Sequence, residues 1–172
     1  MKNRIVLIGA NGMLGNYLYT YLSKLFEVVP TYCKSNKIEK NFVYLDITNL
    51  KSIKSLYERY KPQIIINCAA YTNVDDAENN KFTCRSINSQ SIQKILSVIS
   101  KDTYLIHFSS DYIFDGRKGN YSESCRPNPL SYYGKTKLES ENAIIGSLNN
   151  YLIFRPGVLF TNNFRDNHFV SW

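Results

Sequence analysis

Two side chains that could exchange a proton lie four residues apart in LSYYGKTKLESEN, which runs from Leu130 to Asn142. In a helix, residues four apart share one face, so Tyr133 and Lys137 would approach each other while Tyr132 points elsewhere. A phenol has a pKa of about 10, and a neighbouring ammonium favours the phenolate and lowers that pKa. The pair suits general acid–base chemistry, although a short YxxxK pattern also occurs in ordinary amphipathic helices.

A glycine-rich turn near the N-terminus could bind phosphate groups. RIVLIGANGMLGNYLYTYL predicts a strand, then a turn containing Gly9, Gly12 and Gly15, then a helix. In a dinucleotide-binding turn the first glycine permits the bend, the second lets the backbone approach a pyrophosphate, and the third lets the helix pack on the strand. The helix N-terminus would add free N–H groups and the positive end of its dipole. The alternative is a turn of the same shape that binds no ligand.

The end of the second predicted strand bears on the choice of dinucleotide. An acidic side chain there binds the ribose 2′-hydroxyl, whereas a basic one accommodates a 2′-phosphate. This sequence has TYCKSNK, with Lys34 and Lys37 and no carboxylate. We therefore predict NADPH as the cofactor, with NADH as the less favoured alternative; the lysines could instead be solvated surface residues. Asp46, after the next strand, would hold adenine or act as a turn residue and helix cap.

Alternating strands and helices must position these side chains. Six apolar runs rich in β-branched residues predict strands. They are Arg4–Ile8, Phe26–Tyr32, Phe42–Leu45, Ile64–Cys68, Tyr104–Phe108 and Tyr151–Phe154. Apolar stripes predict helices over Leu50–Tyr60 and Ile87–Ile99, and strands that alternate with helices indicate an α/β protein with a parallel sheet, buried on both faces. The turn-rich segment Arg117–Ser131 is predicted to be a surface loop that leads into the Tyr133 helix.

Size, charge and cysteine pattern narrow the class of protein. At 172 residues, with 44% hydrophobic and 20% charged, the chain is predicted to be one globular domain over 1–172. No apolar run approaches the roughly 20 residues of a membrane span, so we expect a cytoplasmic protein with no membrane partner. The net charge of +7 comes from scattered lysines, which disfavours nucleic acid as a partner. The four cysteines form no CxxC pattern, so neither a zinc site nor a disulfide framework is predicted.

Four longer motifs resemble those of a known enzyme family. They are NCAAYTNVDDAE (Asn67–Glu78), FSSDYIFDG (Phe108–Gly116), PLSYYGKTKLESE (Pro129–Glu141) and YLIFRPGVLF (Tyr151–Phe160). With the glycine turn and YxxxK, these motifs resemble the extended short-chain dehydrogenase/reductase family, and within it the group of dTDP-4-dehydrorhamnose reductase and its relatives. The resemblance runs through essentially the whole chain and implies a doubly wound parallel sheet, the Rossmann fold.

The resemblance also implies roles for individual residues. Tyr133 would give its proton to a ketone oxygen on a deoxysugar as a hydride arrives from the nicotinamide. Lys137 would lower the pKa of Tyr133 and hold the nicotinamide ribose, and Ser110 would hydrogen-bond the carbonyl oxygen. The implied cofactor-binding set, with Lys34 added from the strand-end argument, is Gly9, Asn11, Gly12, Met13, Leu14, Gly15, Lys34, Asp46, Ile47, Cys68, Ala69, Ala70, Tyr71, Tyr133 and Lys137. The implied substrate-binding set is Val74, Ser110, Asp111, Tyr112, Tyr133 and Val158.

Three departures from the family bear on these expectations. The family commonly has a tryptophan in RTSWVY beside the sugar, whereas RPGVLF places Val158 there, so the exact sugar stays open. Tyr17 stands where some relatives have a glutamate linked to a metal-assisted dimer, so we predict no metal and leave a homodimer open. Family members also continue into a last strand and a smaller sugar-binding domain. We therefore expect that domain to be absent from 1–172, and this chain to be inactive alone.

Three functions are compatible with these motifs. The favoured one is NADPH-dependent reduction of the 4-keto group of a dTDP-deoxysugar, dTDP-4-dehydrorhamnose to dTDP-rhamnose, in the synthesis of cell-surface polysaccharide precursors. One alternative is a nucleotide-sugar epimerase or dehydratase, which the RPGV stretch resembles more. Another is a non-catalytic binding partner like the regulatory subunit of methionine adenosyltransferase. The intact set of Ser110, Tyr133 and Lys137 favours catalysis.

Overall fold

Strands and helices alternate along the part of the chain that the computed structural model describes, residues 3–34 and 40–160. The strands are β1 (Arg4–Ile8), β2 (Glu27–Tyr32), β3 (Val43–Tyr44), β4 (Ile64–Asn67), β5 (Tyr104–Phe108) and β6 (Tyr151–Phe154). The α-helices are α1 (Met13–Leu22), α2 (Leu50–Tyr60), α3 (Asp76–Asn79), α4 (Lys81–Arg85), α5 (Ser91–Val98) and α6 (Tyr132–Ser147). A π-helical turn (Ser86–Gln90) joins α4 to α5, and a 3-10 turn (Asp111–Ile113) follows β5.

All strand pairings in the sheet are parallel, and the strand order is β3-β2-β1-β4-β5-β6. The chain starts at the centre with β1, moves outward through β2 and β3 on one side, and then returns to build β4, β5 and β6 on the other. This arrangement confirms the predicted doubly wound sheet. Ligands of such sheets bind at the carboxyl ends of the strands, where the order reverses, which here lies between β1 and β4.

Apolar side chains from the strands fill a core on each face of the sheet. Val6 and Leu105 point to the face covered by α2, α5 and α6, where Ile92 and Ile144 are also fully buried. Strand residues at the alternate positions point to the opposite face. There, Leu7 belongs to a second core that includes residues of α1. Because both faces are covered, the strands carry continuous apolar runs rather than alternating ones. Among the described residues, no helix has the length and hydropathy to cross a membrane.

The helical segment before β5 is longer than predicted. The sequence indicated a helix over Ile87–Ile99, but helical structure already begins at Lys81 and passes through the π-helical turn. The stretch KFTCRSINSQ has polar residues at most positions, so it shows no apolar period that would reveal a helix. The structure places the short helices α3 and α4, which the sequence did not predict, beside the carboxyl end of β4.

Candidate active site

A cavity of about 1230 Å³ opens at the carboxyl ends of the strands. Most residues of the two predicted binding sets line it. These are Gly9, Asn11, Gly12, Met13, Leu14, Lys34, Asp46, Ile47, Cys68, Ala69, Ala70, Val74, Ser110, Asp111, Tyr112, Tyr133, Lys137 and Val158. Two predicted residues, Gly15 and Tyr71, lie outside this lining. Lys37, named with Lys34, lies outside the described residues.

The three glycines of the turn after β1 meet different steric demands. Gly9 has a φ of 76°, and a Cβ there would lie 3.0 Å from the backbone nitrogen of Ala69. A Cβ on Gly15 would overlap the carbonyl oxygen of Gly9, so α1 could not pack so closely on β1. On Gly12, however, a Cβ would meet only the Gly9 oxygen, at 3.4 Å. The fold itself thus requires Gly9 and Gly15, whereas Gly12 leaves space beside the backbone for a ligand.

The N-terminus of α1 lies beside that space. Gly12 is the N-cap of α1, and no side chain among the described residues caps the helix there. The N–H groups of the first turn are therefore available to an anion. The amide of Asn11 donates to the carbonyl oxygen of Lys34 at 3.0 Å, which fastens the glycine turn to the end of β2. This contact keeps Lys34 at the edge of the cavity, where a 2′-phosphate would lie in the predicted complex.

Asp46 stabilises the turn before α2. Its Oδ1 accepts hydrogen bonds from the backbone nitrogen of Thr48 at 2.8 Å and from the Thr48 hydroxyl at 2.7 Å. The alternative that Asp46 caps the helix is wrong, because Asn49 is the N-cap and accepts from Lys51 and Ser52. Asp46 also lines the cavity, so its predicted contact with adenine is sterically open.

The three predicted catalytic residues meet at the other end of the cavity. Ser110, Tyr133 and Lys137 all line this end of the cavity, and the Ser110 hydroxyl lies close enough to the phenol to influence its pKa. The Ser110 hydroxyl also donates to Asp111 Oδ1 at 3.1 Å and accepts from the backbone nitrogen of Tyr112 at 3.2 Å. The Lys137 ammonium donates to the carbonyl oxygen of Phe108 at 2.5 Å. All three of these candidate residues are at least nine-tenths buried.

Burial is the largest influence on the pKa values of Tyr133 and Lys137. Desolvation raises the pKa of Tyr133 above its ordinary value, and the neighbouring Ser110 hydroxyl opposes that effect. The direction is opposite to the one expected from the YxxxK spacing, because desolvation is the largest effect on the phenol. At neutral pH Tyr133 is therefore protonated, the form that can donate. Burial also lowers the pKa of Lys137 to about 8, against the opposing charge of Glu141.

Tyr71 lies behind the cavity wall rather than in it. Its hydroxyl donates to the carboxylate of Asp76, and its ring packs in the cluster that contains Cys84. The backbone of Tyr71 is held on both sides by buried Asn88, which accepts from its nitrogen at 2.8 Å and donates to its oxygen at 3.1 Å. Asn88 also donates to Thr136 at 3.2 Å. Asn88 thus fastens the loop after β4 to α6. The sequence analysis missed this residue, although an amide within an apolar helical stripe could have indicated a buried polar contact.

Gly134 is a second residue that the sequence analysis missed. A Cβ at this position would overlap the carbonyl oxygen of Tyr112, so any larger residue would push α6 away from the Ser110 segment. Ser131 begins the helix by accepting from the Gly134 nitrogen at 3.1 Å. The available signal was a glycine in the first turn of a helix, beside the candidate catalytic tyrosine.

The rim of the cavity includes further residues outside the predicted sets. On α4, the side chain of Phe82 is 84% exposed and lines the opening, and Pro156 and Leu159 line it after β6. Within residues 3–34 and 40–160, no group of three or more His, Cys, Asp or Glu side chains could hold a metal ion.

Comparisons with known proteins agree with this geometry. The family described as the RmlD substrate binding domain matches residues 2–172. A dTDP-4-dehydrorhamnose reductase of Aggregatibacter actinomycetemcomitans is 35% identical over 91% of this chain and 52% of its own length. The beta subunit of methionine adenosyltransferase 2 of Xenopus tropicalis is 33% identical over 91% of this chain and 47% of its own length.

A solved structure shows the same fold. The dTDP-4-dehydrorhamnose reductase of Bacillus anthracis, in complex with NADP, superposes with a TM-score of 0.81 at 32% identity, covering 95% of this chain and 57% of that one. The chain thus spans about half the length of the relatives that it matches. The family match over nearly every residue, together with the sheet and the cavity, leads to one conclusion: the chain belongs to the RmlD substrate-binding-domain family.

Proposed function

We propose that this chain is the dinucleotide-binding part of an NADPH-dependent reductase acting on the 4-keto group of a dTDP-deoxysugar, with dTDP-4-dehydrorhamnose as the substrate. The observation that carries the proposal is that Ser110, Tyr133 and Lys137 meet in the same cavity as the glycine turn. The reductase relatives named above support the choice of reaction. The NADP bound to the Bacillus anthracis relative supports the choice of cofactor.

The residues of this chain fit a bound dinucleotide. Gly12 leaves room for a pyrophosphate beside the uncapped N-terminus of α1. Asp46 and Ile47 line the part of the cavity where adenine would lie, and Ala69 and Ala70 line it after β4, where they would contact the cofactor. When bound, the reduced cofactor supplies a hydride to the carbonyl carbon of the sugar.

Proton transfer is then the task of Tyr133. Its phenol is neutral at pH 7 and lies against Ser110, so both hydroxyls can turn toward one ketone oxygen. Negative charge develops on that oxygen as the carbon is reduced, and a hydrogen bond from Ser110 would stabilise it. Lys137 would hold the nicotinamide ribose and, as a cation, stabilise the phenolate that remains after Tyr133 has given up its proton.

We further propose that 1–172 is one dinucleotide-binding unit, and that a second domain supplies the sugar-binding walls. In the described residues Phe82, Tyr112 and Val158 are exposed at the cavity mouth, so these residues alone do not enclose a sugar. Enclosure positions a substrate and excludes water, and positioning can contribute several kcal/mol to lowering a barrier. Reductase turnover is therefore expected only where such a domain is present.

The test is NADPH oxidation by the gene product at its natural length, supplied with dTDP-4-dehydrorhamnose. Wild type should oxidise NADPH, and Tyr133→Phe should lower turnover by roughly 10²–10⁴-fold with little change in cofactor affinity. Tyr132→Phe is the matched control, because Tyr132 is the neighbouring phenol and is half-buried outside the cavity lining. Equal losses in the two variants would show that Tyr133 is not the proton donor.

A second candidate is a non-catalytic binding subunit. The observation in its favour is the 33% identity with the methionine adenosyltransferase 2 beta subunit, which equals that of two reductases. In that case dinucleotide would bind, but no keto-sugar would cause NADPH oxidation. Against it stand the grouping of Ser110 and Tyr133 in one cavity and the buried Lys137, whose burial has a cost that a purely structural role does not require.

A further inference from the structure

A buried row of polar side chains crosses from the loop after β4 to α6. Asn67 at the end of β4, His107 on β5 and Ser140 on α6 are each no more than 2% exposed. Asn67 and His107 are 3.3 Å apart, His107 and Ser140 are 3.0 Å apart, and Ser140 donates to the carbonyl oxygen of Lys137 at 2.6 Å. At the opposite end, Asn67 Oδ1 accepts from the backbone nitrogen of Ala69 at 3.2 Å.

The two backbone ends fix the direction of every hydrogen bond between them. The carbonyl oxygen of Lys137 can only accept, so Ser140 must donate to it and must accept from His107 Nε2–H. His107 Nδ1 then carries no proton and accepts from the Asn67 amide nitrogen. That orientation turns Asn67 Oδ1 toward the Ala69 nitrogen, which can only donate. Every hydrogen bond in the row then has one donor and one acceptor.

Only one state of His107 satisfies this row. The neutral ring protonated on Nε2 serves both neighbours, whereas a proton on Nδ1 would face the amino group of Asn67. Turning Asn67 around would then set two donors against each other at Ala69. Burial lowers the pKa of His107 well below its ordinary value, and the charge of Lys137 acts in the same direction, which favours the neutral ring.

We propose that Asn67, His107 and Ser140 act as positioning residues that fix the distance between the two cavity walls, the Ala69 loop and the Lys137 segment of α6. The row joins the backbone of Ala69, which packs on Gly9, to the backbone of Lys137. Both of these residues line the cavity. The effect on ligand affinity rests on the proposed function, because it assumes that the cavity binds a dinucleotide.

The experiment compares two buried serines in the 172-residue chain. Ser140 and Ser91 both donate to a carbonyl oxygen of their own helical segment, but Ser140 alone of the two also accepts from His107. Ser140→Ala should weaken NADPH binding by about tenfold, whereas Ser91→Ala should leave binding within about twofold of wild type at a similar loss of stability. Equal effects on NADPH affinity would overturn the proposal.

Nitrogen NMR of labelled His107 and hydrogen exchange at the Ala69 amide give readouts that need no ligand. We expect the neutral ring protonated on Nε2, and faster exchange at Ala69 in Ser140→Ala than in Ser91→Ala. A ring protonated on Nδ1, or an Ala69 amide that responds equally in both variants, would overturn the proposal. If wild type binds no dinucleotide, the proposed function fails while these two readouts still decide the positioning role.

Discussion

Lys34 is the described residue whose charge we expect to favour NADPH over NADH. It lines the cavity at the end of β2, and its backbone is held by Asn11. A basic residue at this place accommodates a 2′-phosphate, whereas a carboxylate would repel it and bind the 2′-hydroxyl.

We therefore expect calorimetry to show tighter binding of NADPH than of NADH to wild type, and Lys34→Asp to reverse or remove that preference. Lys24→Asp makes the same charge change just beyond the C-terminal end of α1, away from the cavity, and should leave the ratio of the two affinities unchanged. Clearly tighter binding of NADH to wild type would contradict the assignment.

Lys137 should make the free energy of unfolding depend on pH in a defined window. Its pKa is about 8 in the folded protein, whereas the ordinary value, which applies to the unfolded chain, is 10.5. Between pH 8 and pH 10.5 the unfolded chain therefore binds more protons than the folded protein. The sign is then fixed: the contribution of Lys137 to stability rises as pH rises from 8 to 10.5, by roughly 3 kcal/mol in total.

The measurement is denaturant unfolding of wild type and Lys137→Met at a series of pH values. The difference between the two proteins should change in favour of wild type across the window, while groups that both share cancel. Near pH 7 the variant should be the more stable protein, because it buries no charge. A difference that stays constant with pH would mean that Lys137 is hydrated in solution.

Substitutions of Gly15 and Gly12 should separate the effect of the glycine turn on stability from its effect on ligand affinity. Gly15→Ala should destabilise the protein by roughly 1–3 kcal/mol, since α1 must move away from β1. Gly12→Ala should cost no more than about 1 kcal/mol, because a Cβ fits there and only the poorer capping by alanine counts against it, but NADPH affinity should fall by about tenfold or more.

Gly146→Ala is the control for this pair. Gly146 lies in α6 with open space around its Cα, so alanine there should raise stability by about 0.5–1 kcal/mol without changing affinity. Denaturant unfolding and calorimetry on the three variants would check both quantities. An unchanged affinity in Gly12→Ala would remove Gly12 from the phosphate site.

The elements themselves were largely predictable from the sequence, for reasons that the structure makes clear. β1 and β5 have the predicted bounds because apolar residues on both faces of a parallel strand leave a continuous signal. β3 is only Val43–Tyr44, shorter than predicted, since it lies at one edge of the sheet. The contacts of Asn88 and His107 could not be predicted, because each depends on residues far away in the chain.

For the whole molecule, the described sheet ends in an apolar edge. β6 is the last strand in the order, and its Leu152 and Phe154 side chains are 40% and 44% exposed. An edge strand offers unpaired backbone groups, and exposed apolar side chains beside it favour association. We therefore expect the 172-residue chain to self-associate, and the double substitution Leu152→Thr with Phe154→Thr to shift it toward the monomer.

Sedimentation over a range of concentrations would check this expectation. Ile145→Thr is the control, because Ile145 is 51% exposed on α6 rather than on the sheet edge. If the control lowers self-association as much as the edge variant does, general surface hydropathy rather than the edge would be the cause.

The central place of β1 also has a consequence for the rates of folding and unfolding. Ile5 pairs with Val28 on one side and with Ile64 on the other, so the second pairing must close a much longer stretch of chain. Closing a long loop has a larger entropic cost, and parallel pairings distant in sequence slow folding. The loops that follow β1 and β4, which both line the cavity, are brought together by that pairing. A dinucleotide that binds both loops should therefore slow the unfolding of the native protein.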